Sequence, residues 1–573
     1  MRKELLLLGA FGMLTTATLC AQEFHLQPTP QEYITQKDSV DIPRQYQILS
    51  GNSVQDGPAL PLLRSLMPEE VLGASFRVYI GVKGDKIIKK YQHRIPRKSE
   101  GYFLKIEKDC IVIAGADERG AYYGVQTLAQ LLALDKLPLV EVTDYPDVPY
   151  RGVVEGFYGA PWSQEARIRQ LDFYGRNKMN VYIYGPKDDP YHRTPNWRKP
   201  YPAREGEELK VLVNRAKENN VIFYWAIHPG QDIRWNEEDR SLLLQKFESM
   251  YQLGVRGFAV FFDDISGEGT KADKQAELLN YIDDHFVKVK RDVAPLILCP
   301  TEYNKSWTDV EGGYLTTLGD KLNEGIKVMW TGDMVVATID KSTLDFVNPL
   351  LKRKAYIWWN FPVSDYVQDH LLLGPVYGNG LDIKDDMSAF VSNPMEHAEA
   401  SKISLYSVAD YTWNMENYDS ETSWKHAVRD LMPLHAEYLE IFAAHNSDPG
   451  QNGHRFRREE SVAIQPALSA LLKAYQEKNE IDEDAYRQVA EECRKIIVAA
   501  DGLLASGNEN RPLITEIRPW LIQFKQVGEY GAEVLNMIRL RQQKDAFIGS
   551  YEHARALLVL MGETDAQYKA GIK

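Results

Sequence analysis

Two adjacent carboxylates, Asp263 and Asp264, end the apolar run FAVFFDD and offer acid–base chemistry. Like charges side by side cost free energy unless one is protonated or both have partners. Carboxylates that flank a sugar bond are the chemistry of glycosidases, in which one protonates the leaving oxygen and the other supports positive charge at the anomeric carbon. Neighbouring residues are poorly placed to reach opposite faces of a sugar. An alternative scheme needs only one proton donor, because the substrate's own 2-acetamido oxygen attacks.

Other interpretations of the pair are structural. The two aspartates could be solvated, could cap a helix, or could bind calcium together with Glu268. No EF-hand spacing surrounds them, which counts against calcium. The GxG of SGEGT lacks the strand-turn-helix pattern that phosphate binding requires.

Short apolar runs alternate with amphipathic helical stretches from Tyr150 onward. The runs are YRGVVEGFYG, MNVYIYGPK, VIFYWAIHPG, GFAVFFDD, PLILCPTEY, IKVMWTGD, KAYIWWNFP and ISLYSVADYTWN. Units of strand then helix in this number predict a (β/α)₈ TIM barrel. Near-continuous apolar strands suit a parallel sheet that is covered on both sides.

The ends of these predicted strands carry polar and aromatic side chains. Because active sites of this fold lie at the carboxyl ends of the strands, we expect these side chains to share one rim. They are Tyr158, Lys187, His228, Asp263, Asp264, Glu302, Tyr303, Asp333, Trp358, Asn360 and Asp410. Carboxylates, amides, aromatic rings and a lysine together predict a carbohydrate pocket.

The regions outside the barrel differ in pattern. Residues 1–21 predict a signal peptide, 23–147 a small N-terminal α/β domain, 148–451 the catalytic barrel and 452–573 a C-terminal helical bundle. The leader has Arg2 and Lys3 before an apolar stretch, which predicts export to the periplasm or medium. Cys20 raises the alternative of a lipid anchor, but Leu19 before it is a poor fit to the small residue that such processing prefers.

Composition excludes several classes of function. The 573 residues carry a formal net charge of -14, which argues against a nucleic-acid partner. No second apolar stretch is long enough to span a bilayer. Cys110, Cys299 and Cys493 are too sparse for a disulfide framework, and no Cys/His spacing predicts a metal site. The oligomeric state is not predicted by any pattern in the chain.

Five motifs in fixed order resemble those of family 84 glycoside hydrolases, the O-GlcNAcases and their bacterial relatives. The motifs are VVEGFYGAPWS, YIYGPKDDPYH, FFDDISGEG, CPTEYNKSW and YIWWNFPVSD. The resemblance runs along nearly the whole chain and is closest in character to the enzymes of gut Bacteroides. It implies retaining hydrolysis, without metal or other cofactor, of terminal β-linked N-acetylglucosamine on glycans or glycoproteins, through an oxazoline intermediate.

The resemblance also implies roles for individual residues. Asp263 would hydrogen-bond the acetamido N–H and balance charge on the forming oxazoline. Asp264 would act first as general acid and then as general base, so its carboxyl must be protonated when it meets the glycosidic oxygen. Tyr303 would contact the acetamido oxygen. Substrate-binding residues would be Gly156 through its backbone, Tyr158, Lys187, Trp358, Asn360, Asp365 and Asn393.

Two other functions compete with an exo-acting N-acetylglucosaminidase. One is an endo-acting hexosaminidase on glycosaminoglycans such as hyaluronan, since some relatives carry that description. The other is a catalytically silent carbohydrate-binding protein on the same scaffold. The combination of Asp263, Asp264 and Tyr303 speaks against the latter, because a lectin has no need of a proton donor.

Overall fold

The computed structural model describes residues 24–571, so the predicted signal peptide lies outside the described range. The first domain is a mixed six-stranded sheet with strand order β1-β6-β4-β5-β3-β2. Its elements are β1 (Glu32–Val40), β2 (Tyr46–Ser50), α1 (Ala59–Leu66), β3 (Phe76–Val82), β4 (Tyr102–Ile106), β5 (Cys110–Gly115), α2 (Glu118–Leu132) and β6 (Leu137–Asp144). The Asp117 side chain accepts the main-chain N–H of Gly120 and caps the start of α2.

The second domain is a closed barrel of eight parallel strands. The strands are β7 (Arg151–Glu155), β8 (Val181–Tyr184), β9 (Ile222–Ile227), β10 (Gly257–Phe261), β11 (Ile297–Cys299), β12 (Lys327–Trp330), β13 (Ala355–Trp359) and β14 (Met387–Ser392). Every strand pairs in parallel with its sequence neighbours, and β14 closes the ring on β7. The barrel with its flanking α/β and helical regions confirms the predicted fold class.

Helices cover the outside of the barrel. They are α3 (Gln164–Arg176), α4 (Ala203–Glu218), α5 (Glu237–Gln252), α6 (Ala272–Ile282), α7 (Tyr314–Lys321), α8 (Lys341–Leu351) and α9 (Ala398–Trp413), followed by α10 (Ser420–Leu431) and α11 (Ala436–Ala444). Ser163, Asn236 and Asp340 each accept a main-chain N–H at the start of α3, α5 and α8. These caps satisfy amides that have no partner within their own helix.

The prediction of the eighth strand is wrong. The run ISLYSVADYTWN lies in α9, and the strand that closes the barrel is the earlier segment MSAFVS of β14. Every residue of α9 is buried, so the helix lacks the polar face that would have revealed its period. Asp410 is consequently a helix residue rather than a rim residue, and its Oδ1 accepts the main-chain N–H of Thr29.

Two layers of apolar side chains pack against the barrel strands. Trp358 belongs to the cluster inside the barrel, whereas its neighbour Trp359 packs in the layer between strands and helices. This split is what the alternation of side chains along a strand predicts.

The last domain consists of long helices. They are α12 (Gln465–Lys478), α13 (Glu483–Ala505), α14 (Arg511–Gln543) and α15 (Ile548–Tyr568). Pro512 lies in the first turn of α14, where its missing N–H is tolerated, and Gly507 lies in the preceding turn. Within residues 24–571, none of the helices combines the length and apolarity needed to cross a membrane.

Candidate active site

The adjacent aspartates lie immediately beyond β10 and have opposite surroundings. The Asp263 side chain is buried, with 5% of the residue exposed, whereas Asp264 is exposed to the cavity above the barrel. Asp264 has a φ of 54°, a left-handed backbone conformation that is uncommon outside glycine. Such conformations persist where the surrounding structure holds them and are frequent at active sites. The turn at Asp264 is what allows neighbouring carboxylates to occupy different environments.

Asp263 is held as a carboxylate by two basic side chains. Lys187 Nζ donates to Asp263 Oδ2 at 2.9 Å, and His228 Nε2 donates to the Asp263 carbonyl oxygen at 2.8 Å. Burial alone would raise the pKa of the Asp263 carboxyl, but the Lys187 ammonium and the His228 ring outweigh it and lower that pKa. Asp263 Oδ1 is buried and has no hydrogen-bond partner among the described protein atoms. His228 Nε2 lies 3.5 Å from this oxygen, so the imidazole is its nearest basic neighbour.

Asp264 receives two phenolic hydrogen bonds. Tyr158 donates to its Oδ2 at 3.0 Å, and Tyr303 donates to its Oδ1 at 2.8 Å. Burial raises the pKa of both tyrosines, and the neighbouring carboxylates raise that of Tyr303 further, so both phenols remain donors. The Tyr303 hydroxyl, expected to contact an acetamido oxygen, contacts the carboxylate of Asp264 in this structure.

Every residue to which the family resemblance gave a catalytic or substrate-binding role lines one cavity of about 250 Å³ at the carboxyl ends of the strands. The structure brings together Gly156, Tyr158, Lys187, Asp263, Asp264, Tyr303, Trp358, Asn360, Asp365 and Asn393. Trp358 and Cys299 are buried and form part of its floor. The individual roles of these residues stay predictions, since the arrangement shows position only.

A chain of hydrogen bonds fixes one wall of the cavity. Trp358 Nε1 donates to Asn360 Oδ1 at 2.9 Å, and Asn393 Nδ2 donates to the same oxygen at 3.0 Å. The main-chain N–H of Gly156 donates to Asn393 Oδ1 at 3.3 Å. These contacts link the ends of β7, β13 and β14 and hold the indole plane of Trp358 in place. Asp365 lies on the same side, where burial raises the pKa of its carboxyl and its Oδ2 accepts the Tyr158 N–H.

Some lining residues were not identified from the sequence. Trp307 is 50% exposed, and its ring meets that of Tyr303 at 4.9 Å between centroids. His454 reaches the cavity from the segment after the barrel, and its ring lies perpendicular to Tyr366 at 4.9 Å. Trp307 stands within the motif CPTEYNKSW and could have been inferred from it. His454 belongs to no motif, so only the folded chain reveals it.

Other rim residues expected from strand ends lie elsewhere. Glu302 Oε2 accepts the main-chain N–H of Asp309, and Asp333 lies 4.0 Å from Lys305. Neither residue lines the cavity. Within the described chain, no group of three or more His, Cys, Asp or Glu side chains is placed to hold a metal ion.

Family comparisons match all three domains. The β-N-acetylglucosaminidase family model matches residues 151–444. The model of the bacterial GH84 post-catalytic domain matches residues 460–573, and that of domain 2 of glycosyl hydrolase family 20 matches residues 23–145.

Individual relatives support the same assignment. Protein O-GlcNAcase of Rattus norvegicus is 35% identical over 276 residues, which are 46% of this chain and 30% of that protein. This chain therefore matches less than a third of the length of that curated relative. The solved structure of CpGH84B is 33% identical with a TM-score of 0.86, and the match covers 94% of this chain and 96% of that one. An O-GlcNAc hydrolase from Thermobaculum terrenum is 26% identical with a TM-score of 0.65, over 74% of this chain and 92% of that one. The chain belongs to family 84 of the glycoside hydrolases.

Proposed function

We propose that this protein is a retaining exo-β-N-acetylglucosaminidase that releases terminal β-linked N-acetylglucosamine from glycans or glycoproteins. The observation that carries the proposal is the pairing of two neighbouring carboxylates in one cavity. One of them is buried and held ionised by Lys187 and His228, and the other is exposed beside it. A sugar with an acetamido group needs both: an acceptor for its N–H and a proton donor for its leaving oxygen.

In the first step the acetamido carbonyl oxygen attacks the anomeric carbon while the bond to the leaving oxygen breaks. Asp264 transfers its proton to that oxygen. The oxazoline that forms carries positive charge, and the Asp263 carboxylate accepts its N–H and balances that charge. Lys187 and His228 keep Asp263 ionised for this purpose.

In the second step water attacks the anomeric carbon from the face that the leaving group vacated. Asp264 takes the proton from this water, the oxazoline opens, and the acetamido group is restored. Two displacements at the same carbon retain its configuration. No covalent bond to the protein is required, which explains why the carboxylates are neighbours rather than opposed across the sugar.

The cavity favours removal of a terminal residue. Its floor is closed by buried side chains, and about 250 Å³ suits a single sugar with its acetamide. The wall formed by Trp358 and its asparagine partners presents an aromatic face to one side of that ring.

An assay of matched aryl glycosides tests the proposal. We expect release of phenol from an aryl β-N-acetylglucosaminide and none from the aryl β-glucoside, because only the former carries the attacking oxygen. Equal turnover of both would contradict substrate assistance, and no turnover of either would indicate a binding protein. Oligosaccharide products from hyaluronan, without free monosaccharide, would indicate an endo-acting enzyme instead.

We further propose that the protein is exported. The support is the sequence of the leader alone, with Arg2 and Lys3 before an apolar stretch. Mass spectrometry of the protein from its native host should show a new N-terminus near residue 22. An intact N-terminus in the cytoplasmic fraction would contradict export, and a lipid on Cys20 would indicate an anchored protein.

A further inference from the structure

A second cavity, of about 420 Å³, lies between the end of α11 and the helical domain. It is larger than the cavity at the strand ends, which is about 250 Å³. Its walls are mainly apolar and aromatic and include Val489 of α13 with Trp520, Phe524 and Val527 of α14. Gln465 at its margin is exposed, so the cavity reaches solvent. Size, apolar walls and access are the usual features of a small-molecule site.

One end of this cavity is polar. The Nδ1 atom of His445 lies 2.6 Å from the Ser461 hydroxyl oxygen. The Nε2 atom of the same ring lies 3.0 Å from Glu492 Oε1. The hydrogen bond from His445 lowers the pKa of Glu492 despite partial burial, so this carboxylate remains an acceptor. All three side chains line the cavity.

A buried amide adds a second acceptor. Gln523 is 3% exposed, and its Nε2 donates to the Met561 carbonyl oxygen at 3.2 Å. Its Oε1 has no hydrogen-bond partner among the described protein atoms, although Gln523 lines the cavity. A buried acceptor without a donor costs free energy, and a ligand with an N–H or O–H group would remove that cost.

We propose that this cavity binds a small molecule with a flat apolar body and an N–H or O–H donor, of the kind represented by an aromatic amine. The apolar body lies against the rings of Trp520 and Phe524, and the donor faces Gln523 and the Glu492 end. Trp520 Nε1 donates to the carbonyl oxygen of Asp369, in the loop that also carries Asp365. The Trp520 side chain therefore contacts the loop whose earlier residue Asp365 lines the catalytic cavity, although the two cavities are separate.

Titration with 1-aminoanthracene, followed by its fluorescence, tests the proposal on the full chain. We expect saturable binding of one molecule per chain. Val527→Phe fills the apolar end and should weaken binding at least about tenfold. Leu472→Phe makes a similar addition on the exposed face of α12, where 46% of Leu472 is accessible, and should leave binding unchanged.

A second variant tests the hydrogen bond to Gln523 while the volume of the cavity stays nearly constant. Gln523→Leu removes the unpartnered oxygen at nearly constant volume and should weaken 1-aminoanthracene by about two- to tenfold, as expected for one hydrogen bond. Anthracene lacks the amine, so its binding should not weaken in this variant. Circular dichroism during thermal unfolding checks that each variant is folded, and Gln523→Leu keeps the test valid if Val527→Phe does not fold.

Several results would overturn the inference. They are absence of saturable binding, equal binding by wild type and folded Val527→Phe, and an equal effect of Gln523→Leu on both probes. Displacement of the probe by N-acetylglucosamine would place it in the catalytic cavity instead. Binding that appears only after removal of Ile572 and Lys573 would assign the cavity to the chain's own end.

Discussion

At the scale of single residues, neighbouring carboxylates acquire different chemistry because the backbone turns between them. Asp263 lies two residues beyond the end of β10, where it is buried and contacts Lys187 and His228. Asp264 adopts a left-handed conformation and meets two phenols at the mouth of the cavity. The two carboxylates therefore differ in partners and exposure, with basic side chains around Asp263 and phenolic donors around Asp264.

Replacement of Asp264 by asparagine removes the proton donor but keeps the shape of the side chain. The value of kcat/KM for an alkyl β-N-acetylglucosaminide should fall by about 10² to 10⁴, the usual contribution of a general acid. The value for a dinitrophenyl glycoside should fall far less, because that leaving group needs no proton. Steady-state kinetics on both substrates gives the comparison, and equal losses would refute the acid role.

Replacement of Lys187 by methionine tests how Asp263 is kept ionised. Asp263 has a lowered pKa because its basic partners outweigh burial, so loss of the ammonium should raise that pKa. The carboxylate would then protonate earlier as pH falls, and the acid limb of log kcat/KM should move to higher pH by about one to three pH units. Lys354→Met, outside the cavity, provides the control. An unmoved acid limb in Lys187→Met would exclude this role.

At the scale of secondary structure, the strands that end in motifs were predictable and the closing strand was not. Each of the first seven runs is a short apolar stretch with polar residues at its end. Their short length and their flanking residues predict strands. A fully buried helix such as α9 offers the same apolar signal, and its length alone argues against a strand. Residues 360–386, which lead into β14, contain no helix or strand.

The site was predictable to the extent that its residues stand in motifs. Asp365 and Asn393 lie in irregular segments, so periodicity could not assign them and only the family resemblance did. The left-handed φ of Asp264 and the approach of His454 from another domain depend on the folded chain. Neither has a local signature, because both arise from contacts between distant parts of the sequence.

Gly156, which follows β7, leaves room for the Trp358 ring of β13 because it has no side chain. A Cβ at this position would lie 2.5 Å from the Trp358 ring, which is already fixed by Asn360. Gly156→Ala should displace the indole and lower kcat/KM by about five- to 150-fold, equivalent to about 1–3 kcal/mol of overpacking. Gly206→Ala in α4 is the matched control, since nothing lies within 4 Å of its Cβ. Normal kinetics in Gly156→Ala would mean that the wall tolerates movement of Trp358.

At the scale of the whole molecule, the N-terminal domain and the barrel share a core. Trp413 ends α9 of the barrel but packs within the apolar cluster of the N-terminal sheet. Its Nε1 donates to Asp144 Oδ1 at 2.8 Å, and Lys178 Nζ donates to Asp144 Oδ2 at 3.1 Å. The N-terminal sheet therefore supports the end of the barrel opposite the active site, because Lys178 precedes β8 and the catalytic residues follow the strands.

The buried pair of Lys178 and Asp144 should carry much of this connection, since both residues are at most 1% exposed. Lys178→Met leaves a buried carboxylate without its cation and should lower the free energy of unfolding by about 3–5 kcal/mol. Asp144→Asn should cost a similar amount, whereas the double variant should cost clearly less than the sum of the two.

Urea unfolding, followed by tryptophan fluorescence, gives the three values, and kcat/KM should stay unchanged because the pair is remote from the active site. Lys425→Met provides the surface control, since 38% of its side chain is exposed beside Glu421 and such pairs contribute about 0–1 kcal/mol. Additive losses in the double variant would show that the two side chains stabilise the protein independently. In that case apolar packing around Trp413, rather than the buried pair, would hold the two domains together.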